Sequence, residues 1–217
     1  MPLDPVEWEN RLSEQIGVAC VVAAVDSPGP LSSLSSEERQ RVESFGSPPR
    51  ADSYRRGRCA LRALLTRLGE NPENSFAFPH PRFSITHSGA VAIAFGIGAN
   101  QPRSGAGIDY EVSARVSGKA ERFFLRSEER RWLRRVGSPA ARKQRLRLWT
   151  VKEALFKADL ENADTFLLDY ATSDPSAASG WAESSATRLG RRAWRYASLE
   201  IGEGVLTAGV RVEGRNP

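Results

Sequence analysis

The chain has 217 residues, 40% of them apolar, and a formal net charge of +5. That is enough for one large or two small domains with a real core. A mean hydropathy of −0.42, with no apolar run near the ~20 residues a membrane helix needs, argues against a membrane-spanning helical protein.

The elements follow in chain order. Residues 1–17 read as an irregular or short helical lead-in, acidic at its start and without the basic opening of a signal peptide, which points to a cytoplasmic protein. Residues 18–25 are apolar on both faces and predict a buried strand, broken by Asp26-Ser27-Pro28-Gly29-Pro30. Ser35 with Glu38 has capping-box spacing, so a helix is expected from there to about Phe45. A second helix over residues 51–69 carries Tyr54, Ala60, Leu61, Leu64, Leu65 and Leu68 on its apolar side and is basic in its first half. The alternation in residues 82–87 predicts a half-buried strand, paired through Ser88-Gly89 with a strand over 90–97. Residues 98–105 read as a linker and set a candidate boundary between lobes of residues 1–103 and 104–217. A strand over 106–111, helical segments over 117–124 and 127–136 (Ser127 capping the latter) and a long helix after Pro139 come next. Residues 172–186 are rich in Ser, Ala and Pro and read as a surface loop, with Trp181 pinned. Residues 193–201 and 204–212 predict a closing hairpin. Each half therefore offers a strand, helices and a hairpin: two α+β lobes of related layout, with no convincing sequence repeat between them. Cys20 and Cys59 have no metal-ligand spacing and no disulfide framework, and are expected to be reduced and structural.

The chemistry centres on the long helix. Leu148, Val151, Leu155 and Ala158 recur at helical spacing as a buried stripe, while Glu153 and Lys157 fall one turn apart on the other side. Upstream, Asp109 and Glu111 alternate in a strand, so they share a face about 7 Å apart. Two such carboxylates, joined by Glu153, suit a hard cation with oxygen ligands such as Mg²⁺. His87 ends a strand beside small residues that admit a ligand. Lys152, Lys157 and the arginines of the second helix suit phosphates. No Walker A loop, dinucleotide-binding glycine motif, nucleophile elbow or zinc spacing is present, so no covalent nucleophile is evident. From Arg115 to Arg147 the chain carries twelve Lys and Arg against three acids, a patch for nucleic acid, a membrane surface, phosphates or an acidic protein.

Three segments together carry a family resemblance: Phe83-Ser84-Ile85-Thr86-His87-Ser88-Gly89, Gly107-Ile108-Asp109-Tyr110-Glu111, and Trp149-Thr150-Val151-Lys152-Glu153-Ala154-Leu155-Phe156-Lys157-Ala158. They resemble, in order and spacing, the signature segments of the 4′-phosphopantetheinyl transferases, in particular the monomeric surfactin-synthetase-activating branch. Arg122-Phe123-Phe124 before Ser127-Glu128 and the basic Arg55-Arg56-Gly57-Arg58 are similar to further family segments. The resemblance implies a pseudo-twofold pair of α+β lobes with coenzyme A in the cleft, and holo-acyl-carrier-protein synthase activity. Phosphopantetheine would pass to a serine of an acyl or peptidyl carrier protein of fatty-acid, polyketide or peptide assembly, releasing adenosine 3′,5′-bisphosphate.

By matching position, Asp109, Glu111 and Glu153 would hold Mg²⁺ (Mn²⁺ as the alternative), and Glu153, directly or through a metal-bound water, would be the candidate base for the carrier serine. Lys157 would neutralise the pyrophosphate. His87 and one or more of Arg50, Arg55 and Arg58 would hold the 3′-phosphate, with Thr86, Asp109 and Lys152 also toward the coenzyme. Glu128 matches a family acid. The family's Gly-Lys-Pro is absent, and Arg82 or His80 is the candidate substitute; Thr86 stands where Ser is usual. The basic stretch would steer an acidic carrier. The rival readings are a nucleic-acid-binding protein, which leaves the three acids unexplained, and an inactive scaffold, which leaves the intact acids and Lys157 unexplained.

Overall fold

The computed structural model describes residues 3–99, 105–112, 116–184 and 192–212. The predicted linker at 98–105 lies largely outside the described residues.

Helix α1 (Pro5–Ile16) starts where the Asp4 side chain accepts the Glu7 N–H, with proline in its first turn, and stops at Gly17, whose φ of 72° suits glycine. It buries Trp8, Leu12 and Ile16, four residues apart on one face. Strand β1 (Cys20–Val25) follows, then α2 (Ser36–Glu43) with the predicted Ser35/Glu38 capping box, and the 20-residue α3 (Pro48–Arg67). The hairpin β2 (Phe83–Ser88) and β3 (Val91–Ile97) completes a three-stranded antiparallel sheet of order β1-β3-β2.

The second half repeats this plan. Strand β4 (Ala106–Val112) is followed by α4 (Glu121–Phe124), α5 (Ser127–Arg135) and the 21-residue α6 (Ser138–Ala158). Strands β5 (Tyr170–Thr172) and β6 (Ser179–Ser184) lead into the hairpin β7 (Arg192–Ile201) and β8 (Gly204–Val212). The sheet order is β4-β8-β7-β6-β5, all neighbours antiparallel. In each half the first strand pairs with the last strand of the hairpin: β1 with β3, β4 with β8. The fold is thus α+β, with one layout used twice and extended by two strands in the second half.

Two expectations are corrected. The expected loop over 172–186 is broken by a strand: residues 179–184 form β6 on the edge of β7, with Trp181 under the Arg195 guanidinium, residues 173–178 are the turn before it, and 185–186 lie outside the described residues. The cap of α5 is Arg126, not Ser127: the Arg126 N–H donates to the Glu129 carboxylate at 2.9 Å.

Alternate residues of each sheet face different partners. Val22, Ile93 and Phe95 join Ile108, Ala197, Leu199 and Leu206 in one core that also takes in α1. The opposite faces are covered by α3, through Ala60, Leu61, Leu64 and Leu65, and by α6, through Val151, Leu155 and Ala158. Glycine decides how closely α6 lies on β4. A Cβ at Gly107 would fall on the Ala154 carbonyl oxygen, and one at Gly105 on that of Ala158. This contact sets Glu153 and Lys157 beside Asp109.

Candidate active site

The edge strand β2 of the first sheet meets the edge strand β4 of the second. Ser84, Thr86 and Ser88 point one way from β2 and are all buried. Ser84 Oγ accepts the Ile108 N–H, and Thr86 Oγ1 accepts the Tyr110 N–H, each at 3.1 Å. Thr86 donates its proton to Asp109 Oδ1 at 3.0 Å, and Ser88 donates to Glu111 Oε1 at 2.7 Å.

Asp109 is buried. Its Oδ1 also accepts from Lys157 Nζ at 2.7 Å, whereas its Oδ2 is buried with no hydrogen-bond partner. Lys157 gives a second bond to the Ile108 carbonyl at 3.1 Å. Burial holds the Glu153 carboxyl above the ordinary carboxylate range; Lys157 opposes this, and the charges of Asp109 and Glu111 add to it. Asp109, Glu111, Glu153 and Lys157 therefore act on one another across β4 and α6. Among the described residues, no group of three or more His, Cys, Asp and Glu side chains is gathered closely enough to hold a metal ion as it stands.

A trough leads away from this cluster. One cavity of about 440 Å³ is lined by Phe78, Pro79, Ser84, Ile85, Phe156, Lys157 and Asn162. A second, of about 390 Å³, shares Phe78 and Ile85 with it and is lined by Arg41, Phe45, Arg50, Tyr54, Arg58 and His87, among others. The two lie side by side with Phe78 and Ile85 as shared walls, the arginines and His87 lining one and Lys157, the partner of Asp109, lining the other. The far end is an aromatic floor carrying guanidinium groups. Arg41 and Arg50 lie over the Phe45 ring at 5.7 and 5.0 Å, and Arg58 over Tyr54 at 5.0 Å.

The structure sorts the sequence candidates. Arg50, Arg58 and His87 line one end of the trough and Lys157 the other. Lys152 does not reach it. Its ammonium is fully buried, bonded to Glu129 Oε1 at 2.6 Å and to the Tyr170 carbonyl. Burial pushes its pKa down and Glu129 pulls it back. The reason is angular: on α6, Lys152 and Glu153 are neighbours about 100° apart, so only one can face the trough. Arg55 is likewise turned away, to Asp52 and the Gly29 carbonyl. Neither substitute for the missing Gly-Lys-Pro is placed for the role. His80 Nδ1 accepts the Arg82 and Phe83 N–H groups, and Arg82 pairs with Glu70 at 2.9 Å.

Thr86 has one proton and gives it to Asp109, leaving none for a phosphate. Glu128 is exposed on Arg131, whereas its neighbour Glu129 is the buried acid. Sequence reasoning missed Arg41 and Phe45. The signal was their i, i+4 spacing ahead of the Gly46-Ser47-Pro48 break.

The basic patch is thinner than its count. Arg145 pairs with Glu121, Arg131 with Glu128 and Lys143 with Glu200, while Arg147 is buried on the Ala177 and Pro175 carbonyls. Lys119, Arg122, Arg130, Arg134, Arg135 and Arg142 make no ion pair among the described residues. Arg122 stacks over Phe123, which is 61% exposed. No helix among the described residues is long and apolar enough to cross a membrane.

Fold and site thus define an α+β protein with a cationic and aromatic cavity beside a second one lined by Lys157, whose ammonium is bonded to Asp109. Residues 105–208 match the family model described as the 4′-phosphopantetheinyl transferase superfamily (ACPS). No curated protein matches the chain.

Proposed function

We propose that this protein transfers the 4′-phosphopantetheine group of coenzyme A to a serine hydroxyl of an apo acyl or peptidyl carrier protein, releasing adenosine 3′,5′-bisphosphate. The observation that carries this is the pair of neighbouring cavities that sets Arg41, Arg50, Arg58 and His87 on one side of Phe78 and Ile85 and Lys157, bonded to Asp109, on the other. A nucleotide with phosphates at both ends of its ribose would meet a cation in each. Residues 1–103 would then form the nucleotide lobe and 104–217 the lobe of the carboxylates and the carrier.

Although the three acids are not gathered as a ligand set, two observations favour a divalent cation among them. Asp109 Oδ2 is buried without a partner, and Asp109 and Glu111 raise the cost of charging Glu153. Asp109, Glu111 and Glu153 would hold Mg²⁺, or Mn²⁺ in its place, and the ion when bound supplies charge neutralisation at the pyrophosphate. Lys157 neutralises a phosphate oxygen at the same place. Glu153, directly or through a water, accepts the serine proton as the serine oxygen bonds to phosphorus and the bond to the departing bisphosphate breaks. Arg41, Arg50, Arg58 and His87 hold the 3′-phosphate end, Arg55 and Lys152 standing outside that set. Positioning and charge neutralisation suffice for this chemistry, which suits a site without a covalent nucleophile.

The carrier would dock on the face of Arg122, Phe123, Arg130 and Arg134, where an exposed aromatic ring lies among unpaired cations. In this reading the protein acts as a monomer, in the cytoplasm where coenzyme A and carriers occur. The test is to incubate the protein with coenzyme A, Mg²⁺ and apo acyl and peptidyl carriers and weigh the carriers. A gain of one phosphopantetheine, lost in Asp109→Ala, is expected. Unchanged masses for both carrier types with the wild-type protein overturn the reading.

A further inference from the structure

The two carboxylates of β4 are held from the other lobe. Each half of the fold leaves an edge strand open, β2 in one sheet and β4 in the other. The edges do not pair through their backbones. Instead, every second residue of β2 over one stretch is a hydroxyl, Ser84, Thr86 and Ser88, and each reaches β4. The N–H groups of Ile108 and Tyr110 find their acceptors there. The same row then donates to the side chains between and beyond them, Thr86 to Asp109 and Ser88 to Glu111.

Resting on the function proposed above, we infer that Thr86 and Ser88 are positioning residues. Through them the first lobe sets the orientation of the cation-binding carboxylates of the second. Thr86 and Lys157 together occupy Asp109 Oδ1. Fixing that atom leaves Oδ2, buried and without a hydrogen-bond partner, as the oxygen offered to a cation. Thr86 is held at both ends: it accepts from the Tyr110 backbone and donates to Asp109, so its own rotation is fixed. Carboxylates that bind metals are generally oriented by such hydrogen bonds, and removing one weakens metal binding about 10–100-fold. Ser84 bonds only to backbone, and sets the register of the two edges without touching a carboxylate. The alternation Ser-x-Thr-x-Ser therefore serves the metal site rather than the coenzyme.

The experiment uses the full chain and Mn²⁺ alone, without coenzyme A, with affinity read from the paramagnetic resonance of the free ion. Thr86→Val keeps the shape and removes the hydroxyl. It is expected to weaken Mn²⁺ about 10–100-fold and to speed hydrogen exchange of the Tyr110 amide, while Thr86→Ser restores both. Ser88→Ala, which leaves the Thr86 bonds in place, is expected to weaken Mn²⁺ and leave the Tyr110 amide protected. It carries the test if Thr86→Val does not fold. Wild-type Mn²⁺ affinity in both variants, with only the KM for coenzyme A raised, overturns the inference and makes the hydroxyls coenzyme contacts. A wild-type protein that binds no Mn²⁺ overturns it as well. A wild-type protein that modifies no carrier, yet loses Mn²⁺ affinity on Thr86→Val, overturns the proposed function and leaves this inference standing.

Discussion

The two lobes solve the same mechanical problem with the same device, and differ in how deeply they bury it. In the first, Glu38 at the third position of α2 accepts the Ser35 N–H and pairs with Arg62 and Arg58 of α3. In the second, Glu129 at the third position of α5 accepts the Arg126 N–H and pairs with Lys152 of α6. A capping glutamate on a short helix thus clamps the long helix that follows. The local sequences agree: Leu34-Ser35-Ser36-Glu37-Glu38-Arg39 against Leu125-Arg126-Ser127-Glu128-Glu129-Arg130. Leu34 and Leu125 are both buried. This short repeat escapes a sequence reading because only the shared geometry says which six residues to align.

The difference lies in the cation. Arg58 and Arg62 keep part of their side chains in solvent, and Arg58 also lines the trough. Lys152 is sealed, and spends its donors on Glu129 and the Tyr170 carbonyl. The first clamp lends a cation to the candidate site. The second fixes the helix that carries Glu153 and Lys157 and gives the site nothing else.

The contrast breaks most severely at the glycine contact. Gly107→Ala puts a methyl on the Ala154 backbone, where no rotamer can yield, and is expected to cost more than about 4 kcal/mol in a denaturant melt. Gly57→Ala in α3 meets only the Ile85 side chain at 3.4 Å, and is expected to leave the same melt unchanged or improve it by up to about 1 kcal/mol. Next is the sealed clamp. Lys152→Ala strands the Glu129 carboxylate in the interior and is expected to cost about 3–5 kcal/mol, against about 1.5–3 kcal/mol for Arg62→Met in the more open one. Equal losses in the two lobes would erase the distinction between the clamps.

Acid sharpens the comparison. Burial works to raise the Glu38 pKa, but the Arg62 hydrogen bond, the Ser35 N–H and the charges of Arg62 and Arg58 outweigh it, and the net shift is downward. A depressed carboxylate contributes stability that is present above its unfolded pKa and lost as pH falls through the folded one. The gap in melting temperature between the wild-type protein and Glu38→Gln is therefore expected to narrow below about pH 4. A gap that stays constant into acid would remove the ion pair from the account. The smallest effect on stability is at the surface. Reversing Arg130 and Arg134 to Glu is expected to change stability by less than about 0.5 kcal/mol. It should weaken carrier docking and leave the KM for coenzyme A unchanged; equal carrier KM before and after would place the docking face elsewhere.

Much of this was legible in the chain. Capping signals placed α2, alternation placed β2, and the Gly202 turn placed the last hairpin, because these depend on neighbours a few residues away. Strand β6 was not legible. Its Ser- and Gly-rich sequence has weak strand preference, and it is a strand because β7 offers it an edge. The acids were legible as a set, but Glu128 and Glu129 were not distinguishable by type, and only burial separates them.

By itself the sequence determined the order of elements, the recurrence of one layout, and the residue types that can meet a cation and a phosphate. Those follow from periodicity, capping and charge, all local properties. Tertiary structure alone decided that Lys152 faces inward, that Arg41 joins the trough, and that Thr86 and Ser88 hold Asp109 and Glu111. Each of these is a contact between residues far apart in the chain, and a period along one strand or helix names a face without naming what that face will meet.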